Sequence, residues 1–326
     1  MWQRAGRRWS GSPRQWLVAG TTVVAIAAAL AVVAMVVRRV GDDPVAGPAS
    51  SAVPSEQDLL TGPVGRFAFV PEAGPEPGTA IEVSYYAPDG SLADRPILIV
   101  MPGRGRNAAD YRDEWSGEAR RHGAVLLVPE LPADAYPLAA YNLGNLVDDG
   151  GEPNPASAST FAVVEELFDH AVDELSSDAT GYYLYGHSAG AQFVHRFMLY
   201  QGDNRVVRAV SANAGWYTAP DPTVDFPYGT DDGPAVDLDR ALSAPLTVLV
   251  GSDDTDPDDD GLRTTGGAER QGATRRERAD YFYARAAAEA EARGVELGWG
   301  FGVVDGAEHS NQQMVAAAAE ALFNPP

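Results

Sequence analysis

The chain contains no cysteine, which excludes disulfides, thiolate metal centres and a cysteine nucleophile. It contains no lysine either. All 24 basic residues are arginine, so Schiff-base and serine–lysine chemistry drop out. Basic charge as a whole is scarce: 46 acidic residues give a formal net charge of −22 over 326 residues. A polyanion of this kind repels phosphate, which argues against a nucleic-acid partner. No H-E-x-x-H, Walker or G-x-G-x-x-G signature stands in a strand–helix context, so neither a metal nor an organic cofactor is expected. What the chain does have is 45% hydrophobic and 21% charged residues, the composition of a globular protein and not of a disordered one.

The bases are unevenly placed. Arg4, Arg7, Arg8, Arg14, Arg38 and Arg39 fall within the first 41 residues, which hold no acid. Between them Leu17 to Val37 is a stretch of 21 uncharged residues, long enough as a helix to cross a hydrocarbon core of about 30 Å. Four arginines precede it and two follow, so the positive-inside rule places the N-terminus in the cytoplasm and the bulk of the chain outside. The competing reading is a cleaved signal peptide and a secreted protein, although the apolar region of such a peptide usually runs only about 7–15 residues. The expected organisation is a stub and transmembrane anchor over 1–40, a Pro-, Gly-, Ala- and Ser-rich linker over 41–62, and one catalytic domain over 63–326, within which no second linker or repeat appears.

In that domain, strand and helix patterns alternate. Gly65–Val70 and Ala80–Tyr86 read as early strands. Pro96–Met101 and Ala124–Pro129 are continuous apolar runs, the pattern of strands buried on both faces. Helices are expected near Ala108–His122, at Thr160–Leu175 with its apolar stripe, at Ala189–Tyr200, near Arg275–Arg293 and near Gln312–Phe323. Further strands are expected at Tyr182–Tyr185, Val206–Val210, Pro245–Val250 and Val295–Val304. Such alternation implies an α/β fold with a mostly parallel central sheet and helices on both faces.

The sharpest motif is Gly186-His187-Ser188-Ala189-Gly190, which an apolar strand enters and a helical pattern leaves. That strand–turn–helix context is what a nucleophile elbow requires, with glycines where neighbours come too close for side chains. The bland reading is an ordinary glycine-flanked turn. A serine hydroxyl needs a base. Of the five histidines only His309 follows the last expected strand, on a loop at the carboxyl edge of the sheet where Ser188 also lies. His187 reads as a pocket-wall or elbow-packing residue, His195 as a helix-face residue, and His122 and His170 as surface or satisfied polar groups. The acid should follow Pro245–Val250, where Gly251-Ser252-Asp253-Asp254-Thr255-Asp256 stands. Asp254 is selected by its position three residues after the glycine, with Asp256 next.

Two backbone amides should bind an oxyanion. One is that of Ala189. The other comes from Pro102-Gly103-Arg104-Gly105-Arg106-Asn107, where Arg104 is chosen, with Gly103 and Gly105 as alternatives, and where Arg106-Asn107 braces the loop. In the long aperiodic segment before Pro245, Trp216 and Tyr217 are candidates for lining the substrate pocket, or simply for pinning the loop. The run Asp253–Asp260 lacks the glutamate that an EF-hand needs at its twelfth position and reads as a solvated acidic loop.

The motifs around Arg104, Ser188, Asp254 and Glu308-His309-Ser310 resemble those of the α/β-hydrolase superfamily. More narrowly, they resemble secreted hydrolases of the poly(3-hydroxybutyrate) depolymerase and feruloyl esterase kind. The resemblance covers residues from about 63 to 326, departing from it in having Pro102 where histidine is common. It implies a serine hydrolase acting on a carboxylic ester, small or polymeric, through Ser188, His309 and Asp254, and the anchor read from Leu17–Val37 makes it membrane-anchored and extracytoplasmic. The alternatives are a serine peptidase on the same fold and a non-catalytic surface-binding protein that retains it.

Overall fold

Apolar runs in this chain become central strands, and their side chains divide between two cores. The computed structural model describes Leu60 and residues 62–324. The expected anchor at Leu17–Val37 and most of the linker lie outside the described residues. Among the described residues no helix is long and apolar enough to cross a membrane.

Eight strands, β1 (Val64–Phe69), β2 (Ile81–Tyr86), β3 (Ile97–Met101), β4 (Val125–Glu130), β5 (Tyr182–His187), β6 (Val206–Ala212), β7 (Leu246–Gly251) and β8 (Gly300–Val304), form one sheet in the order β1-β2-β4-β3-β5-β6-β7-β8. β1 and β2 are antiparallel to each other, as are β2 and β4, and the remaining pairs are parallel. Alternation along β3 shows how the sheet is covered. Ile97, Ile99 and Met101 enter one core, and Leu98 and Val100 enter the other.

The helices are α1 (Ala108–His122), α2 (Leu138–Asn142), α3 (Thr160–Leu175), α4 (Ala189–Tyr200), α5 (Leu238–Ser243), α6 (Gly266–Glu269), α7 (Arg275–Arg293) and α8 (Asn311–Phe323). α1 and α8 supply Trp115, Met314 and Leu322 to the core on one face; α3, α4 and α7 supply Phe161, Phe193 and Phe282 to the other. Side chains as large as Trp115 and Phe161 are fully buried, each removing apolar area worth about 1.5–3 kcal/mol.

The expected strand Val295–Val304 is shorter than its pattern. Its first half belongs to α5: Gly298 N–H donates to the Leu242 carbonyl at 2.8 Å and the Trp299 indole donates to the Ala241 carbonyl at 2.8 Å. Only from Gly300 does the chain reach β7. The short helices α2 and α5 were beyond the reach of periodicity, since neither completes two turns.

Candidate active site

β5 runs into Ser188, whose φ of 56° and ψ of −113° lie outside the regions that non-glycine residues ordinarily adopt. The turn is held by the Ser188 N–H, which donates to the Ala212 carbonyl of β6 at 3.0 Å, and α4 starts at the next residue. Its tightness explains the flanking glycines. A methyl group at Gly186 would overlap the Gly190 carbonyl, and one at Gly190 would overlap the Met101 carbonyl and sit 2.7 Å from that of Pro102.

His309, on the loop between β8 and α8, presents Nε2 to the Ser188 Oγ at 3.0 Å and Nδ1 to the Asp254 Oδ2 at 2.8 Å. A carboxylate only accepts, so the imidazole proton sits on Nδ1 and Nε2 is left to accept from the serine hydroxyl. Asp254 is 4% exposed, whereas Asp256 is exposed and accepts from the Asp258 N–H of its own turn. The structure thus brings together Ser188, His309 and Asp254, and leaves Asp256 outside.

Several contacts fix this row. The loops after β7 and β8 are stitched by the Ser252 N–H to the Val304 carbonyl at 2.9 Å and the Asp253 N–H to the Ala307 carbonyl at 2.9 Å. Asn213, at φ 54° and fully buried, accepts from the Gly251 N–H at 2.8 Å and donates to the Glu308 carbonyl at 3.1 Å. Thr274 caps α7 by accepting from the Glu277 N–H at 3.2 Å, which sets Arg275 at the first helical position. The Arg275 guanidinium donates to the Asp254 Oδ1 at 3.2 Å and the Asp259 Oδ1 at 2.7 Å. That donation holds the Asp259 carboxyl below its ordinary range. Neither Asn213 nor Arg275 was singled out from sequence, because their bonds run across 16 to 95 residues and no motif carries those distances.

The loop after β3 is braced as its sequence suggested. Arg106, at φ 53°, turns inward. Its guanidinium donates to the carbonyls of Leu131 and Tyr136 and lies 3.3 Å from the ring centre of Tyr141. Tyr141 in turn donates its hydroxyl to the Pro102 carbonyl at 2.7 Å, and Asn107 donates to the Asp110 carboxylate. Arg104 stays exposed and borders the same cavity as Ser188, Ala189 and His309. Among the described residues neither the Arg104 amide nor the Ala189 amide has a backbone partner outside helices and strands.

That cavity measures about 500 Å³ and is lined by Asn142, Gln192, Trp216 and Arg263 besides the residues around Ser188. Trp216 therefore lies where the sequence reading put it. Tyr217 does not. It is fully buried, stacks on Phe282 with ring centres 4.3 Å apart, and its backbone is clamped on both sides by Gln271; it pins the segment and is a correction to the pocket assignment. A second opening of about 300 Å³ reaches Ser188 past Gly103, Tyr111 and Glu114. A further cavity of about 520 Å³ lies at Pro245 and Thr247, by the amino ends of β7 and β8, and does not touch Ser188.

The other histidines sort by burial. His187 is buried beside the elbow, bonded through Nδ1 to the Tyr111 hydroxyl at 3.0 Å. Burial, His309 and Arg275 push its pKa well down. His195 lies on α4, on a face that is fully buried, with Nδ1 on the Ala191 carbonyl and Nε2 accepting from the Thr218 N–H at 3.1 Å. His170 packs against Phe67 and Phe69, and His122 stacks on Phe323. Among the described residues no group of three or more His, Asp or Glu is placed to hold a metal ion.

Comparison with protein-family profiles gives no match, and comparison with curated proteins gives none. Solved structures do match. Poly(aspartic acid) hydrolase-1 from Sphingomonas sp. KT-1 is 38% identical, with 81% of this chain and 100% of that one covered at a TM-score of 0.78. The poly(3-hydroxybutyrate) depolymerase LpqC from Bordetella parapertussis is 32% identical, with 81% and 90% covered at a TM-score of 0.75. An S-formylglutathione hydrolase from Staphylococcus aureus, at 16% identity, 79% and 96% coverage and a TM-score of 0.51, shares the fold alone.

Proposed function

The chain belongs to the α/β-hydrolase superfamily, and on that footing we propose that it is an extracytoplasmic serine hydrolase that cleaves carboxylic esters, polymeric ones included. The observation that carries the reading is the unbroken row Ser188 Oγ, His309 Nε2, His309 Nδ1, Asp254 Oδ2, with spacings of 3.0 and 2.8 Å. In it Ser188 attacks the ester carbonyl while His309 takes the hydroxyl proton. Asp254 holds the ring in the required tautomer and stabilises the imidazolium that forms. The amides of Ala189 and Arg104 bind the oxyanion, each worth about 10²–10³ in rate. His309 then returns its proton to the leaving alcohol, and a water deprotonated by His309 releases the acyl group from Ser188. The relative named as a poly(3-hydroxybutyrate) depolymerase supports an ester and a polymer. The uncharged stretch Leu17–Val37 between arginine clusters supports a membrane tether with the enzyme outside.

A second reading, cleavage of an amide on the same site, is supported by the relative named as a poly(aspartic acid) hydrolase. Steady-state rates on an ester and its amide isostere separate the two. The test of the shared chemistry is labelling of the purified full-length chain by a fluorophosphonate, with the modified residue located by mass spectrometry. The expected result is a single adduct on Ser188 that is lost in Ser188→Ala. A folded protein that takes no label would overturn the proposal.

A further inference from the structure

Charge around Ser188 runs against that of the chain. Beyond residue 41 all 46 acids face only 18 bases, yet the charged side chains bordering the 500 Å³ cavity are Arg104, Arg263 and Arg275 against Asp259 alone. Arg275 is already matched by Asp254 and Asp259. Arg263 and Arg104 have no carboxylate within ion-pair distance among the described residues.

Arg263 is also held in place. Its Nε donates to the Tyr228 hydroxyl at 2.8 Å and to the Thr265 hydroxyl at 3.2 Å, and its guanidinium lies 4.7 Å from the ring centre of Trp216. Both terminal nitrogens are left without a hydrogen-bond partner among the described residues. A stacked guanidinium with its outer edge free presents two parallel N–H groups, the match for the two oxygens of a carboxylate. A second cation lies against the same ring. Arg196 is fully buried, 4.0 Å from the same Trp216 ring centre, with no carboxylate partner among the described residues. Burial, and the charge of Arg263 after it, push the Arg196 pKa down to about 9. Arg196 donates to neutral acceptors, the Thr218 hydroxyl and the Asn142 and Gln192 carbonyls, so two guanidinium charges without a counter-ion beside one indole make the local potential positive, which favours a bound anion.

We propose that Arg263, laid over Trp216, is a specificity-determining residue, and that the substrate carries a carboxylate which enters this cavity and is bound by the free edge of its guanidinium. The proposal rests on the serine-hydrolase reading of Ser188. It adds to that reading that the scissile bond is flanked by an anionic group, with Arg104 as a second positive charge on the cavity wall.

Two matched pairs of esters test it, because the carboxylate can lie on either side of the scissile bond. Mono-4-nitrophenyl adipate against 4-nitrophenyl hexanoate probes the acyl side, and 4-acetoxybenzoate against its methyl ester probes the alcohol side. In the full-length chain at least one carboxylate ester should have the higher kcat/KM of its pair. Arg263→Gln should lower that anionic-to-neutral ratio by about 10- to 100-fold, as for loss of a charge-assisted hydrogen bond. The loss should fall in KM, with partial recovery in Arg263→Lys. Calorimetric titration of the Ser188→Ala chain with the same esters reads binding without turnover, and the anionic preference should vanish when Arg263→Gln is added. Ratios and affinities indifferent to Arg263 in both pairs would overturn the proposal. Fluorophosphonate labelling of Ser188 judges the underlying reading separately, so a labelled enzyme without anionic preference refutes only the role of Arg263.

Discussion

Arg275→Met should cost this protein far more than the loss of one ion pair at a surface. The Arg275 side chain is 2% exposed and that of Asp254 3%, at 3.2 Å. Removing the cation leaves the Asp254 carboxylate charged, buried and held by His309 alone. Breaking a buried pair in this way costs about 3–5 kcal/mol. The arm to Asp259, whose side chain is 32% exposed, adds only ~0.2–1 kcal/mol because water screens it. In a domain of this size each kcal/mol moves the melting temperature by about 2–4 °C, so the variant should melt roughly 6–24 °C lower. The cost comes from a stranded charge, so Arg275→Met with Asp254→Asn should recover part of the loss. Scanning calorimetry of the wild type, the single variant and the double variant reads these shifts, and the fluorophosphonate rate at a temperature where all are folded reads the site. Slower labelling is expected in the single variant, since Asp254 loses the donor that holds Oδ1 while Oδ2 serves His309. A single variant within about 2 °C of the wild type, or a double variant no more stable than the single one, would refute the reasoning.

Asn213→Ala should lose about 2–3 kcal/mol in denaturant unfolding and slow turnover, because it strands the Gly251 N–H and places alanine at φ 54°. Gly190→Ala should give no soluble folded protein, since its methyl has no room beside the Met101 and Pro102 carbonyls; recovery of native melting would contradict the elbow geometry. Stability should fall with pH on the acid side. Burial holds the pKa values of His187, His195 and His170 below 6.5 in the folded state. Unfolding therefore takes up protons as pH drops below about 6.5, the unfolded value. The urea midpoint should be lower at pH 5.5 than at pH 7.5, and His195→Gln should flatten the difference relative to its own pH 7.5 value.

The parts of this molecule that sequence revealed are those governed by short-range rules. The helices Ala108–His122, Thr160–Leu175, Ala189–Tyr200 and Arg275–Arg293 stand where their sequence pattern put them. β3 and β4 are apolar on both faces because both faces are covered. Ser188, Asp254 and His309 could be chosen because each follows a strand at one end of the sheet, so topology alone brings them near one another. Hidden features depend on contacts between distant segments. Tyr217 looks like a pocket aromatic until Phe282 and Gln271 close over it. His195 reads only as a helix-face residue, and its partner at Thr218 lies 23 residues away. Arg263 meets Trp216 across 46 intervening positions of sequence with no pattern to announce it. The strand ending at Val304 reads five residues too long because Trp299 and Gly298 prefer α5 as a partner, a choice that hydrophobicity does not record.

β8 pairs with β7 alone and forms one margin of the sheet, with none of its five residues buried. The histidine loop hangs from this marginal strand, while Ser188 follows the central β5. Opening of a sheet begins where one side of a strand has no ladder, at a free-energy cost below that of global unfolding. Heat or denaturant should therefore detach His309, the proposed proton acceptor, while Ser188 is still in place. The enzyme should fall silent as a nearly intact molecule and regain activity as soon as five residues zip back onto their neighbour.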